Sequence, residues 1–255
     1  MKEKINIPQE LFRLKIKEMA EEVRIKFAKK GLSDIFDILS ESSFLIRKPL
    51  DLDEFSGFIT YFEDHFIVYL NSNFTLGHER YTAAHELYHI IYNEDILKRE
   101  KVFIDKEKYK EEEEKADVFA AEFLMPEDYV KEVFYKIVNV DKDKVEPKHV
   151  VRMHNYFKVS YKAMLKRLVQ LNLCSSKKYF DLIDIASLEN KEKLQALTRE
   201  EGYSLDLIVP SRVTYIPKEY LIYVKSNYEN GKITYDELKE TLAYIDLKPQ
   251  DLGYM

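Results

Sequence analysis

The sequence predicts an α+β fold, helices plus a small antiparallel sheet, on three observations. Apolar residues recur at helical spacing over residues 11–39, β-branched and aromatic residues crowd residues 56–70, and a helical pattern resumes over residues 82–124. The composition suits a folded chain: 255 residues, 45% hydrophobic and 34% charged, with 19 Tyr and 15 Phe to bury. Six Gly and seven Pro are too few for a collagen-like or low-complexity protein. The single cysteine, Cys174, excludes an internal disulfide. Residues 1–28 interrupt their apolar positions with charges, unlike a signal peptide, and no run approaches the roughly 18 apolar residues of a membrane span. The expectation is a cytoplasmic protein with no membrane partner. A net charge of −6 supplies no overall attraction to a phosphate backbone, so direct DNA binding is not expected.

Each element follows from its local pattern. Leu11, Leu14, Ile16, Met19, Ala20, Val23, Ile25 and Phe27, mostly at helical spacing, define a helix that breaks at Gly31. Ser33 or Asp34 then caps a short second helix holding Ile35, Phe36, Ile38 and Leu39. Residues 57–62 and 65–70 read as a hairpin, although its connection, Glu63-Asp64, lacks the glycine that a two-residue turn favours. Two helices follow, over 82–92 and roughly 111–124, joined by a charged connection around 105–110, and Pro126 stops the second.

Beyond Pro126 the pattern is helical to about residue 173 and mixed afterwards. Ser160 caps a second amphipathic helix after Phe157, which suggests helix-turn-helix-like geometry. Lys158, Lys162, Lys166 and Arg167 give that segment local positive charge; the reading favoured is a helix docked on the core with its lysines solvated. His149 and His154 are read as ordinary surface or packing residues. Near the C-terminus two helices flank a turn at Asn230-Gly231, with Thr234 and Glu237 as a capping box and Leu221, Ile222, Val224, Leu238 and Leu242 pairing them. The expected organisation is a core over residues 1–130, a helix-turn-helix-like segment over 131–175, and a C-terminal domain for partner recognition or regulation over 176–255.

The chemistry concentrates in His85-Glu86-Leu87-Tyr88-His89. On a helix, the i, i+4 spacing puts both imidazoles on one face, one turn apart, where two nitrogens can reach one metal ion. A catalytic zinc at about 2.0 to 2.2 Å needs a third protein ligand and an open position for water, and Glu86 can receive a proton from that water. The flanks Ala83-Ala84 and Ile90-Ile91 are apolar, and three ionisable groups on a buried helix without a partner would be costly.

The third ligand is sought in the acidic run Glu111 to Glu114. Acidic residues at a helix start are ordinarily solvated and favoured by the dipole. Glu113 differs in having Asp117 four residues on, while Ala116, Ala120 and Ala121 allow close approach of a second helix. Glu113 then binds metal and Asp117 orients a histidine from behind; Glu114, whose i+4 neighbour is Val118, is the weaker alternative.

The segment Arg80-Tyr81-Thr82-Ala83-Ala84-His85-Glu86-Leu87-Tyr88-His89, together with Glu113-x-x-Ala116-Asp117-x-Phe119-Ala120-Ala121-x-x-Leu124-Met125-Pro126, resembles the ImmA/IrrE family of metallopeptidases. The resemblance extends over residues 11–173. It implies a zincin-like, gluzincin-type core, with Zn2+ held by His85, His89 and Glu113 and with Glu86 as base. It also implies a substrate class: a helix-turn-helix transcriptional repressor encoded nearby, whose cleavage relieves repression in a mobile-element or stress circuit. Tyr88 departs from the family pattern, where glycine is common, and residues 176–255 match it poorly. The alternative is a non-proteolytic regulator that binds a repressor or DNA and keeps a structural zinc; Glu86 favours the enzyme, because a structural site needs no base. Tyr81 and Tyr92 lie near the motif, but neither is assigned the oxyanion.

Overall fold

A computed structural model describes residues 7–101 and 109–254, with side chains from Glu10 onward. Most of the charged connection expected around 105–110 lies outside the described residues. The first helix, α1 (Ile7–Ala28), buries Ile16, Ala20, Val23 and Phe27 and ends before Gly31, whose φ of +77° suits glycine. Asp34, rather than Ser33, caps α2 (Ile35–Ser42), its carboxylate accepting from the Phe36 backbone N–H at 3.0 Å.

The sheet corrects the antiparallel expectation: it is mixed, in the order β1-β3-β2. Strands β2 (Gly57–Phe62) and β3 (His65–Asn71) form the expected hairpin, while β1 (Phe44–Lys48) runs parallel to β3. The sequence reading passed over β1, a five-residue strand whose pairing is entirely long-range. Phe62 pairs with His65, so the turn is Glu63-Asp64 alone, with φ of +44° and +64°. Two positive φ values match the twist of a hairpin, and a non-glycine pair adopts them here.

Helix α3 (Leu76–Tyr92) begins six residues before the expected start because Thr75 caps it. Helix α4 (Glu94–Glu100) follows, in a stretch read only as connection, and α5 (Lys110–Leu124) packs across α1 and α3. Ala83, Ala84, Ala116 and Ala120 are all fully buried, and small side chains at these positions let α3 and α5 approach closely.

Pro126 starts rather than merely stops: its carbonyl accepts from Val130 at the head of α6 (Glu127–Ile137). Helices α7 (Pro147–Phe157) and α8 (Tyr161–Gln170) then meet at Lys158, a left-handed residue with φ of +52°, and Ser160 caps α8 as expected. Docking of α8 on the core is tight at Gly77 of α3, where an added Cβ would lie 2.5 Å from the Ser160 nitrogen. Lys158, Lys162 and Lys166 are solvated, but Arg167 is not. It is buried, donates to the Met125 carbonyl at 3.0 Å, and lies 2.6 Å from the Glu122 carboxylate, though not in line for a hydrogen bond. His149 and His154 are likewise buried rather than surface residues.

The C-terminal stretch is helical rather than mixed: α9 (Ser176–Ile183), α10 (Lys191–Glu200), α11 (Lys218–Glu229) and α12 (Tyr235–Ala243). The Thr234–Glu237 capping box and the turn at Gly231, φ +68°, are present. Val224, Leu238 and Leu242 are buried between α11 and α12, whereas Ile222 is 62% exposed and takes no part. Between α10 and α11 an extended strap returns to the core, where Tyr215 and Arg47 exchange backbone hydrogen bonds at 2.9 and 2.7 Å.

Candidate active site

Helical spacing places His78, Thr82, His85 and His89 along one side of α3, and all four line a cavity of about 560 Å³. Glu86 lines it too and is buried. Across the cavity stand Phe55, Ser56 and the start of β2, an edge strand; α5 contributes Glu113 and Asp117. Gly57 is required at this seam, since a Cβ there would sit 2.7 Å from the Tyr69 carbonyl oxygen and 3.0 Å from Thr82 Cγ2.

His85, His89 and Glu113 converge. The two Nε2 atoms are 3.2 Å apart, His85 Nε2 is 3.5 Å from Glu113 Oε2, and His89 Nε2 is 3.3 Å from Glu113 Oε1. Ligands of a tetrahedral zinc at about 2.0 to 2.2 Å stand roughly 3.4 Å from one another, so this triangle has the size the ion requires. Glu114 is exposed and is not part of the group that its neighbour joins.

What lies behind the imidazoles fits the same use. His85 Nδ1 is 3.0 Å from Asp117 Oδ1, and His89 Nδ1 is 2.9 Å from Asn93 Oδ1. Each acceptor favours a proton on Nδ1 and leaves the Nε2 lone pair free for a cation. Asn93 is in turn held by its amide, which donates to Glu112 Oε2 at 2.7 Å, and Glu112 also accepts from the Tyr88 hydroxyl at 3.1 Å. Tyr88 therefore does more than fill the place of a glycine. Its ring packs on Tyr92 and Phe119, and its hydroxyl ties the motif helix to α5.

The field at the triangle favours positive charge. Burial works to lower the His85 pKa, but hydrogen bonds to the Asp117 and Glu113 carboxylates overcome it and raise it to about 10. Glu113, hydrogen-bonded to His85 and His89, is held far below the usual carboxylate range against the effect of burial.

Of the two tyrosines near the motif, Tyr81 lines the cavity but spends its hydroxyl on the Asp117 carbonyl at 2.8 Å. Tyr92 donates to the Met19 carbonyl on α1, away from the cavity. Sequence reasoning missed three participants. Asn93 and Glu112 carried a signal, since Asn93 is four residues after His89. His78 lies seven before His85, on the same face, and its Nε2 meets Ser56 Oγ at 2.8 Å.

A comparison with family models matches residues 45–169 to Peptidase_M78, described as the IrrE N-terminal-like domain. Residues 45–169 belong to this family. A search of curated proteins found no match. The IrrE N-terminal-like domain thus spans β1 to α8 and contains every residue of the triangle. The match supports a peptidase of metallopeptidase type, in keeping with a His-His-Glu group able to hold a metal. Among the described residues no helix is long and apolar enough to cross a membrane.

Proposed function

We propose that the protein is a zinc-dependent endopeptidase whose substrate is a helix-turn-helix repressor encoded nearby, so that cleavage lifts repression. The observation that carries the reading is the convergence of His85, His89 and Glu113 with an Nδ1 acceptor behind each histidine, beside a buried carboxylate, Glu86, in the same cavity. His85, His89 and Glu113 would hold the ion. When bound, zinc supplies a Lewis acid that acidifies water and polarises a carbonyl.

The chain's own residues do the rest. The Glu86 carboxylate accepts the proton of the attacking water and returns it to the nitrogen of the departing amine. Asp117 and Asn93 keep the imidazoles in one orientation. The edge of β2 offers backbone groups along which an extended peptide can lie, bringing its carbonyl to the triangle.

The test separates metal binding from catalysis. Glu86→Gln is expected to retain one zinc per chain, measured by metal analysis, and to abolish cleavage of the neighbouring repressor followed by mass spectrometry. His85→Ala and Glu113→Ala are expected to lose the metal. Equal cleavage by wild type and Glu86→Gln would remove Glu86 as the base, and no cleavage by either would favour a binding regulator with a structural zinc.

A further inference from the structure

A second cavity, of about 610 Å³, opens between α1, α2, the head of α6 and the α7–α8 turn. It shares no lining residue with the metal-site cavity. Its volume falls within the range of small-molecule sites. One wall is aromatic: Tyr129 and Tyr156, whose hydroxyls are hydrogen-bonded to each other, stand beside Phe157. The lining also carries cations, and the two of interest differ in how they are engaged.

Arg80 is 9% exposed and comes from α3. Its Nη1 donates to Asp34 Oδ2 at 2.6 Å; its Nε has no hydrogen-bond partner and is closed off from solvent, so only the outer end of the fork can face the cavity. A guanidinium has five N–H donors in a planar fork, and one carboxylate oxygen on Nη1 leaves donors on the two outer nitrogens for a ligand. Lys158 stands at the left-handed turn with its side chain exposed and, among the described residues, forms no close ion pair, its charge acting on Asp34 only at longer range. Asp34 is the opposing charge; Arg24, also on the lining, is already engaged with Glu21 and the Glu122 carbonyl. Two cations with spare donors and two tyrosine rings on one lining suit a ligand that is anionic at one end and planar at the other.

We propose that this cavity binds a small phosphorylated molecule with an aromatic ring, of the nucleotide class, its phosphate held by Lys158 and Arg80 and its ring against Tyr129 and Tyr156. Arg80 lies five residues before His85 on the same helix, so the ligand would bear on the element that carries the metal-binding motif. The inference stands apart from the proposed peptidase reaction, and its test needs no substrate.

Thermal unfolding of the full chain is followed with AMP, with inorganic phosphate, and with adenosine. AMP is expected to raise the melting temperature by roughly 5 °C at a hundredfold excess over its dissociation constant, because it binds only the folded state. Phosphate alone and adenosine alone, each offering half of the complementarity, are expected to act only at much higher concentration. Lys158→Gly removes the ammonium while suiting the left-handed backbone, so it folds, and it is expected to weaken AMP at least tenfold; Tyr156→Ala is expected to do the same for the ring. Isothermal titration of both variants checks the affinities directly. The proposal is overturned if AMP at millimolar concentration leaves the wild type unmoved, or if both variants bind it as tightly as the wild type.

Discussion

The two histidines of the triangle are held by acceptors of different kinds, and the difference decides what their loss does. Asp117 is charged, with a side chain 65% exposed, and meets His85 at the surface of α5. Asn93 is buried, neutral, and itself fixed by Glu112. Removing either acceptor frees an imidazole to rotate, and loss of such a partner typically costs 10- to 100-fold in metal affinity. Asp117→Ala and Asn93→Ala are both expected to weaken zinc by about that factor in a chelator competition. Only Asn93→Ala is expected also to lower stability, by about 1–3 kcal/mol, since it strands the His89 Nδ1–H in the interior, whereas Glu112 keeps the Tyr88 hydroxyl. Unchanged zinc affinity in both variants would remove the orienting role from these residues.

At the scale of elements, what the sequence made legible was whatever one helix encodes alone. The i, i+4 histidines and the i, i+4 pair Glu113–Asp117 state their geometry directly, because a helical turn fixes which side chains meet. Strand β1 and the α3–α8 seam at Gly77 were illegible, as they depend on residues far apart in the chain. The burial of Arg167 was illegible for the same reason: nothing in its own helix shows that α5 presents Glu122 to it. The α7–α8 turn shows what such burial implies. His154 there is fully buried, with Nδ1 at 3.1 Å from the Val159 carbonyl, and burial pushes its pKa down from 6.5 to about 4. Above pH 6.5 the ring is neutral in both folded and unfolded chains and has no effect. As pH falls from 6.5 toward 4 the unfolded chain takes the proton first, so stability is lost across that window, by about 3 kcal/mol in total. His149, also lowered by burial, acts in the same direction. Urea unfolding at pH 7, 5.5 and 4.5 is expected to show a shallower decline for His154→Gln than for wild type; parallel declines would assign the acid sensitivity elsewhere.

For the molecule as a whole, the boundary expected at residue 176 runs through packed structure. Leu182 and Leu194 belong to the same buried cluster as Met164, Leu165 and Leu168, Tyr161 donates to the Leu182 carbonyl, and Arg152 reaches Glu201 at 2.5 Å. A chain cut at 176 would expose that core, so its loss of activity would say nothing about partner recognition. The strap offers a more informative division. Arg212 donates to the Ser72 carbonyl at 2.8 Å, Ser72 Oγ to the Val213 carbonyl at 2.8 Å, and Ser211 Oγ to Glu79. Glu79 is a fully buried carboxylate whose pKa burial raises, and Arg47 pairs with it at 3.0 Å beneath the strap. Helices α11 and α12, by contrast, keep their own small cluster around Val224, Leu238 and Leu242 and reach the sheet mainly through Lys48, Phe44 and the strap's end. Removing them should therefore cost little at the metal site, while removing the strap uncovers a buried ion pair at the base of the motif helix. A chain ending at residue 216 is expected to melt within a few degrees of the full protein and to bind zinc as tightly. A chain ending at residue 209 is expected to melt at least 5 °C lower, as the loss of several hydrogen bonds at about 1 kcal/mol each requires. Calorimetry of the two chains decides the matter: equal melting temperatures would show that the strap merely rests on the core, and the pairing of Arg47 with Tyr215 would carry no stability.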